Sequence, residues 1–516
     1  MNIGYAAIYP VRGSIHNMIY ISKTLEREGH KSYFLECASS VPSCYRVELS
    51  TRPKILKCAE CLLGGVRSFG VKNITTMKHS AVLSIKEPLL HAKKIVASTA
   101  YSLNRIETED QKTDADVLST IDRLSESAVI AYSSAKNWIK DNSIEIVFIF
   151  NGRLDLPNAV VQACKDSNIP FITFEAAYPG VALEVNDDCR SLRSIHSICE
   201  EYKNRALTKE QADFAGKIVG QMFTKTNLVW RLYNTSAKSV DWHTKNNSTK
   251  VLIVPSSTHE FMDAEHWKTG WKHFTDGITE VLHYIDHPNL DVIVRCHPHW
   301  GETIGDSVDG SKSEKFYKRW SKNNGYKIIT SDSIVSTQDL ISQADLVIVQ
   351  FGTAGIEAAL LGKKVIALSP SFYSNSDFAL IIPNHDSLPK LDQLEKHDPI
   401  LTARKALRYI YNYHKRFCQL TEYINPKTVF DNIYSDVQSL DYLLQNAVKG
   451  ILAPDDKQSS MSEHDEDSIL DMIHDHRFLE LAALGNKEKD NGTPIRRTHF
   501  YRWIDSLRPY FRAGDR

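Results

Sequence analysis

The sequence predicts an α/β protein with two doubly wound domains. Short apolar runs alternate with helical segments in two stretches of the chain, and each run has the continuous apolar character of a strand buried in a parallel sheet. The polar segment 233–250 separates the two stretches and lacks periodicity, as a linker does. A chain of 516 residues is also too long for a single core.

The first stretch opens with a strand, a helix and a second strand. "IGYAAIYP" ends at a turn near Pro10, and the helix that follows stops at Gly29. The pattern is then mainly helical over 52–142, before a strand–helix–strand pattern returns. We therefore expect a first domain over 1–235 that contains a helical insertion at about 52–142.

The second stretch supplies five strand-like runs. They are "KVLIVPSS", "LDVIVRCHP", "GYKIIT", "ADLVIVQFG" and "KKVIALSP". We expect a linker over 236–250, a second domain over 251–385, and helices over 386–450 that pack back on the first domain.

The last part of the chain changes composition twice. Residues 451–493 are polar and acidic, which predicts a flexible tether. Residues 494–516 carry six Arg against two Asp, and a helix over about 496–508 would align Phe500, Trp503, Ile504 and Leu507 in one apolar stripe. The alternatives are a basic amphipathic tail on an anionic membrane and a terminal helix docked on the protein.

Charge and cysteine usage narrow the partners and the compartment. The formal net charge is −1 and the sequence pI is near 7.0, which provides no global attraction for nucleic acid. Nine scattered cysteines form no disulfide framework, and Cys58 and Cys61 are interpreted as helical thiols. No signal peptide and no apolar run of about 18 residues is present. We expect a cytoplasmic protein that is at most peripheral to the membrane.

The carboxyl ends of the predicted strands should open on a cleft between the domains, where such folds bind ligands. In "ADLVIVQFGTAGIEAALLGKK" a strand is followed by a small-residue turn and by a helix from about Thr353. The helix N-terminus suits a phosphate, and Glu357 could accept hydrogen bonds from a ribose diol. The alternative is that Glu357 only favours the helix dipole.

Other strand ends add polar groups to this predicted phosphate and ribose site. Arg295 and His297 follow a strand that Pro298 stops, and both side chains suit phosphate recognition. Ser256, Ser257 and Thr258 follow the first strand of the second domain, although Ser257 and Glu260 also have capping-box spacing. The residues predicted to bind the phosphate and ribose of this ligand are Ser256, Ser257, Thr258, Arg295, His297, Pro298, Gly352, Thr353, Ala354, Gly355 and Glu357.

These motifs resemble a known family. A strand-end His-Pro and the segment "GIEAALLGKKVI" are similar to the donor half of GT-B glycosyltransferases, especially those that build bacterial capsule and lipopolysaccharide. "FNGRLDLPNAVVQACKDSNIPFITFEAAYPG" resembles the acceptor half of such surface-polysaccharide proteins. The resemblance implies that His297 contacts donor phosphate, that Glu357 contacts ribose, and that Asn151, Arg153 and Glu175 line the acceptor side. A Gln-Phe-Gly-Thr turn replaces the more usual Ser-Ser or Ser-Thr pair.

The candidate catalytic residues are Glu175 and His16. Glu175 ends a strand beside Tyr178 and could deprotonate an acceptor hydroxyl, although a solvated strand-end glutamate has the same pattern. His16 could be an acceptor-side base or simply a residue at a helix N-terminus. No Asp-x-Asp occurs at a strand end, so we expect neither an obligatory metal nor another cofactor.

The predicted function is transfer of a sugar from a CMP-, UDP- or GDP-activated donor to a growing, lipid-linked bacterial surface polysaccharide. The predicted partners are therefore a nucleotide-sugar, an oligosaccharide or lipid-linked glycan, and an anionic membrane. A CDP-polyol phosphotransferase and a UDP-N-acetylglucosamine 2-epimerase share this architecture. A catalytically inactive polysaccharide-binding or scaffold protein is the alternative from another class.

Overall fold

The fold was analysed in a computed structural model that describes residues 1–10, 13–78, 87–177, 180–226, 238–243, 248–285, 289–304, 307–308, 310–427, 431–485 and 492–507. The strands, in chain order, are β1 (Asn2–Ala6), β2 (Lys31–Glu36), β3 (Ile74–Thr76), β4 (Ile146–Phe150), β5 (Phe171–Ala176), β6 (Val181–Val185), β7 (Thr249–Val254), β8 (Leu290–Arg295), β9 (Thr303–Ile304), β10 (Ser307–Val308), β11 (Lys327–Ile329), β12 (Leu346–Val349), β13 (Lys364–Ala367), β14 (Leu380–Ile381), β15 (Cys418–Gln419), β16 (Ile424–Pro426), β17 (Asn432–Tyr434) and β18 (Thr493–Pro494).

The α-helices are α1 (Ser14–Arg27), α2 (Tyr45–Glu48), α3 (Lys54–Gly64), α4 (Glu87–Asn104), α5 (Ala115–Asp141), α6 (Asp155–Asp166), α7 (Arg193–Tyr202), α8 (Lys209–Phe223), α9 (Phe274–Ile285), α10 (Ser311–Asn323), α11 (Thr337–Gln343), α12 (Ala354–Leu360), α13 (Pro399–Tyr411), α14 (Asp441–Lys449), α15 (His464–His474), α16 (Phe478–Ala482) and α17 (Trp503–Leu507). Short 3₁₀ helices occupy several connections, and a π-helical turn, Asn412–Phe417, continues α13.

Two large sheets organise the chain. The first has the order β15-β6-β5-β4-β1-β2-β3, in which β1 to β5 run parallel and β6 and β15 run antiparallel to their neighbours. The second has the order β11-β8-β7-β12-β13-β14 and is parallel throughout. Each sheet extends in both directions from its first strand, which is the doubly wound topology. The predicted fold class of two Rossmann-like domains is confirmed.

The central strands are apolar because helices cover both faces of each sheet. All four residues of β12 are buried, as are Val251 to Val254 of β7 beside it. In the first sheet, Ile146 to Ile149 of β4 are equally buried. Burial on both faces explains why these strands have no polar alternation in the sequence.

The chain returns to the first domain after the second sheet. The 3₁₀ segment His385–Lys396 still packs against α9, whereas α13 packs on both α12 and α8. Beyond α13, β15 joins the edge of the first sheet beside β6. Glu28 at the end of α1 then accepts hydrogen bonds from Leu440 N at 2.9 Å and Ser439 Oγ at 3.0 Å, just before α14. The two domains are thus joined by the linker and by this second crossing.

The segment predicted as a flexible tether, 451–493, contains the packed helices α15 and α16, so that prediction is wrong for this part; residues 486–491 lie outside the described residues. Glu466 of α15 is fully buried and accepts hydrogen bonds from Arg404 Nη1 at 3.0 Å and Arg408 Nε at 2.8 Å. It also accepts one from the backbone N of Leu207 at 2.8 Å. The acidic composition is explained by arginine partners on α13, which lie about 60 residues earlier in the chain.

The tail differs from the single helix predicted over 496–508. Within it, β18 pairs with β17, a 3₁₀ turn covers His499–Tyr501, and α17 begins only at Trp503. Arg497 is buried, donates from Nε to Ser68 Oγ at 3.0 Å and pairs with Asp505. This ion pair uses a charge that the sequence assigned to a solvated face.

The described part of the linker packs on the second domain. Trp242 is buried and donates from Nε1 to Asp291 Oδ2 at 3.2 Å, while its backbone N donates to Gln343 Oε1 at 2.7 Å. Residues 233–237 and 244–247 of the polar segment 233–250 lie outside the described residues. Among the residues that the structure describes, no helix has the length and apolarity required to cross a membrane.

Replacement of Glu466 by alanine should lower the free energy of unfolding by about 3–5 kcal/mol, because two buried arginines lose the one of their carboxylate partners that is fully buried. The matched control is Glu463→Ala, since Glu463 contacts the same arginines from a side chain that is 57% exposed. An exposed pair contributes about 0–1 kcal/mol. Urea unfolding followed by circular dichroism measures both variants, and equal losses would contradict the assigned role of the buried network.

Candidate functional site

The carboxyl ends of the two parallel sheets face each other across a cleft. Arg153, just after β4, places Nη2 3.6 Å from Oε1 of Glu260, which lies just after β7. A second contact joins the walls where Trp267 Nε1 donates to the backbone O of Arg190 at 2.6 Å. The loops that follow the strands of one domain therefore meet the corresponding loops of the other domain.

On the first domain, Asn151 orients the carboxylate of Glu175. Asn151 has a left-handed backbone (φ 67°), and its Oδ1 accepts hydrogen bonds from the backbone N of Arg153 at 2.9 Å and of Leu154 at 3.0 Å. Its Nδ2 donates to Glu175 Oε1. Because both oxygen and nitrogen of the amide are engaged, the side chain has one orientation and holds Glu175 at the end of β5.

The environment of Glu175 adjusts its acidity. Burial raises the pKa of Glu175 to about 7, although the hydrogen bond from Asn151 and the charge of Arg153 act in the opposite direction. The side chain is half-buried, not freely solvated. A carboxylate whose pKa lies near neutral pH can accept a proton and release it again, as general acid–base catalysis requires. The neighbouring Tyr178 lies outside the described residues.

The helical insertion positions Arg153. Arg153 is buried, and its Nη1 donates to Ser102 Oγ of α4 at 2.8 Å. The same guanidinium reaches Glu260 on the opposite wall. Arg153 thus links the acceptor side of the cleft, the insertion and the second domain.

On the second domain, His297 offers a hydrogen-bond donor to the cleft. It caps the 3₁₀ turn Pro298–Gly301, and its Nδ1 lies 3.1 Å from the backbone N of His299, which donates to it. In the neutral ring this assigns the proton to Nε2. Partial desolvation, together with the neighbouring His299 and Arg295, lowers the pKa of His297 below its usual value. A neutral His297 ring therefore presents Nε2–H from an exposed side chain.

Arg295 does not serve as the predicted phosphate contact. Its side chain is fully buried, and Nη1 donates to the backbone O of Thr330. Nη2 lies 3.3 Å from Ser333 O and 3.4 Å from Val335 O. These bonds hold the loop between β11 and α11, because a guanidinium can satisfy several carbonyls at once. Burial lowers the pKa of Arg295, as expected for a cation without a carboxylate partner in this set of bonds.

The three hydroxyl residues after β7 have different roles. Ser257 Oγ accepts from Trp300 Nε1 at 2.7 Å, and Thr258 Oγ1 donates to the backbone O of Glu107 in the first domain at 3.0 Å. No helix begins at these residues, so the capping-box interpretation is wrong. Ser256 faces the turn after β12, since a Cβ on Gly352 would lie 3.0 Å from Ser256 Oγ.

The turn after β12 combines exposed and packed positions. Thr353 is exposed, whereas Ala354 and Gly355 are buried. A Cβ on Gly355 would lie 2.8 Å from the hydroxyl of Tyr373, so the small residue serves packing and not ligand access. The helix α12 that follows has only seven residues.

Glu357 is more than a solvated partner of the helix dipole. Burial raises the pKa of Glu357 to about 7, while a hydrogen bond from Gln338 and the charge of Lys225 oppose this shift. Gln338 lies on α11 and Lys225 lies just beyond α8 of the first domain. The carboxylate thus sits half-buried where the two domains approach each other.

The structure removes His16 from the candidate catalytic residues and adds two residues after β7 to the site, His259 and Glu260. His16 is buried and its ring packs edge-on against Phe69, with centroids 5.1 Å apart, so we do not retain it as a catalytic base. The capping-box spacing predicts Glu260 as a helix cap, but Glu260 contacts Arg153 across the cleft. The adjacent His259 is buried, and burial lowers its pKa to about 4. Their position at a strand end was the available signal.

Comparison with known proteins gave structural neighbours only. No family model and no curated protein matches the chain. KpsC of Thermosulfurimonas dismutans, a beta Kdo 2,4 transferase, has 13% identity over 63% of this chain and 87% of its own, with a TM-score of 0.32. The UDP-GlcNAc 2-epimerase from Neisseria meningitidis has 13% identity over 80% of this chain and 98% of its own, with a TM-score of 0.31. The spinosyn rhamnosyltransferase SpnG has 9% identity over 80% of this chain and 96% of its own, with a TM-score of 0.24.

The contrast between Arg295 and His297 is directly testable. We expect Arg295→Met to lower the urea midpoint, because the carbonyls at 330–335 lose their donor. We expect His297→Ala to unfold like the parent, because its side chain is exposed, yet to weaken binding of the nucleotide that the sequence predicts as ligand by a factor of roughly 10. Titration calorimetry and urea unfolding of both variants measure this. Similar stability losses in the two variants would refute the division of roles.

Proposed function

We propose that the protein is a glycosyltransferase that moves a sugar from a nucleotide-activated donor to a glycan acceptor. The observation that carries the proposal is Glu175, an oriented carboxylate with a pKa near 7, in a cleft whose opposite wall carries an uncharged N–H donor at His297. A transferase of this type needs a base for the acceptor hydroxyl and donors for the departing phosphate.

The donor occupies the edge of the second sheet in this proposal. Nε2–H of His297 donates to a phosphate oxygen, and the carboxylate of Glu357 accepts hydrogen bonds from the ribose. Ser256 and Thr353 add hydroxyl groups, and Gly352 lacks the Cβ that would press on Ser256 Oγ. In this proposal the reaction is metal-independent, and these neutral groups contact the phosphate oxygens directly.

The acceptor occupies the edge of the first sheet. Glu175 accepts the proton of the acceptor hydroxyl as that oxygen forms a bond to the anomeric carbon of the donor sugar. The bond between the anomeric carbon and the phosphate oxygen breaks, and the negative charge leaves with the nucleotide. Asn151 keeps the carboxylate oriented, while Arg153 restrains the amount by which burial raises its pKa.

The acceptor class and the place of action extend the proposal. The acceptor is a lipid-linked bacterial surface polysaccharide, and the protein acts as a peripheral protein on the cytoplasmic face of the membrane. The tail supports this, because Phe500 and Trp503 are 75% and 51% exposed next to the exposed Arg496 and Arg502. Aromatic and basic side chains together favour the interface of an anionic bilayer.

Glu175→Gln should leave the affinity for the donor within about twofold and lower kcat by about 100-fold or more, because the group acts in the transition state. In the parent, log kcat should rise with pH up to about 7 and then level off, since only the deprotonated carboxylate accepts a proton. Transfer is measured by nucleotide release, with CMP-, UDP- and GDP-sugars offered with and without an oligosaccharide acceptor.

The matched control is Glu184→Gln. Glu184 is also a glutamate of the first sheet, and burial raises its pKa to about 8, but it is almost fully buried against Ser194 Oγ at 2.7 Å. Its replacement should leave kcat near the parent value. Normal turnover in Glu175→Gln would demote that residue to a structural role, and donor conversion that requires no acceptor would indicate an epimerase.

A further inference from the structure

Helix α3 presents an apolar face to solvent. Its outer stripe recurs at i, i+1, i+4, i+7 and i+8 and consists of Ile55, Leu56, Ala59, Leu62 and Leu63. The large members are 76%, 53%, 38% and 37% exposed in chain order. A contiguous apolar stripe of this kind on a folded protein indicates an interaction surface.

The opposite side of α3 faces the carboxyl ends of β1 and β2. Lys57, Cys58 and Cys61 of α3 line a cavity of about 40 Å³ together with residues that directly follow β1 and β2, including Ile8 and Cys37. The helix therefore lies between solvent and the sheet edge that forms the acceptor side of the cleft. A partner that binds the outer stripe of α3 therefore lies close to the acceptor side of the cleft.

The tail is fixed next to the end of α3. Ser68, four residues beyond α3, accepts at its backbone O from the N of Thr498 at 2.9 Å and at Oγ from Arg497 at 3.0 Å. Four residues span at most about 14 Å of chain. The exposed rings of Phe500 and Trp503 therefore belong to a segment that is anchored within about 14 Å of the C-terminal end of α3.

Basic side chains outnumber acidic ones in the segments that contain both elements, in a chain whose overall charge is −1. Of the basic ones, Lys57 and Arg497 are buried and Arg67 pairs with Glu36. Residues 46–72 contain six basic and two acidic side chains, and residues 494–505 contain three Arg and one Asp. The acidic ones are paired: Glu48 with Arg123, Glu60 with Lys57 and Asp505 with Arg497. An apolar stripe within a basic surround has charge complementary to an anionic lipid surface.

We propose that the outer stripe of α3 and the tail residues Phe500 and Trp503 form one surface that lies on an anionic bilayer. This inference rests on the peripheral location in the proposed function and assigns a second contact in the first domain. Two contacts on one rigid body fix the orientation of the protein on the membrane. The acceptor side of the cleft is then held near lipid-linked substrate.

The test is sedimentation with vesicles of phosphatidylcholine and phosphatidylglycerol at low salt, with full-length protein. The α3 variant is Leu56→Gln with Leu63→Gln, and the tail variant is Phe500→Ser with Trp503→Ser. The control variant is Ile400→Gln with Leu479→Gln, whose side chains are 66% and 77% exposed on other helices. We expect each of the first two to reduce partitioning by at least about tenfold, the control to bind within about twofold, and added salt to weaken the parent.

Several results would overturn the inference. If the α3 variant binds like the parent while the tail variant does not, α3 is not a membrane contact, and the tail alone is. If the parent fails to bind these vesicles, both contacts are wrong. If the parent is dimeric in sedimentation velocity without vesicles and the α3 variant is monomeric, the stripe belongs to a second copy of the chain. Transfer to a soluble acceptor should be equal in the parent and in every variant. If the parent itself transfers no sugar to a soluble acceptor, the proposed function is wrong, whatever the vesicle binding shows.

Discussion

The direction of the strands is the constraint on which the rest of this molecule depends. In a parallel sheet every strand ends at the same edge, so the loops that carry polar residues collect there. The second sheet and strands β1 to β5 of the first sheet have this property, and contacts such as Arg153 with Glu260 join the two edges. Reversing any central strand would move its terminal residues to the far side of the domain. The second chain crossing, through α13 and β15, keeps the two edges facing each other.

Burial separates the polar residues that stabilise the walls of the cleft from those to which we assign a role in the proposed reaction. Arg295 and His297 are two residues apart, yet one satisfies backbone carbonyls inside the domain and the other presents its ring to the cleft. Glu175 lies between these extremes. It is buried enough for its pKa to rise to about 7, and it remains accessible enough to exchange a proton with a ligand. A hydrogen bond from Asn151 gives it the fixed orientation that proton transfer requires.

The sequence predicted the strands and their ends well because burial on both faces leaves a clear apolar signal, as in β4, β7 and β12. It therefore placed Asn151, Glu175, His297 and Gly352 at strand ends. It could not show how side chains pair over long sequence distances. Glu466 appeared to belong to a tether because its partner Arg408 lies on another helix, and Arg497 appeared solvated because Ser68 is more than 400 residues away. The prediction of His16 as a catalytic base was wrong for the same reason, because its packing partner Phe69 lies beyond α3, more than 50 residues later in the chain.

Hydrogen–deuterium exchange with bound nucleotide tests the central claim most directly, because it reports where the ligand sits. The parent chain would be exchanged alone and with saturating CMP, UDP or GDP. The account predicts that one of these nucleotides slows exchange at 255–260, 295–302 and 350–357, and that His297→Ala removes this protection. Nucleotide binding that protects other segments and leaves these three unchanged would contradict a donor site in the cleft. Failure of all three nucleotides to bind would contradict the transferase itself.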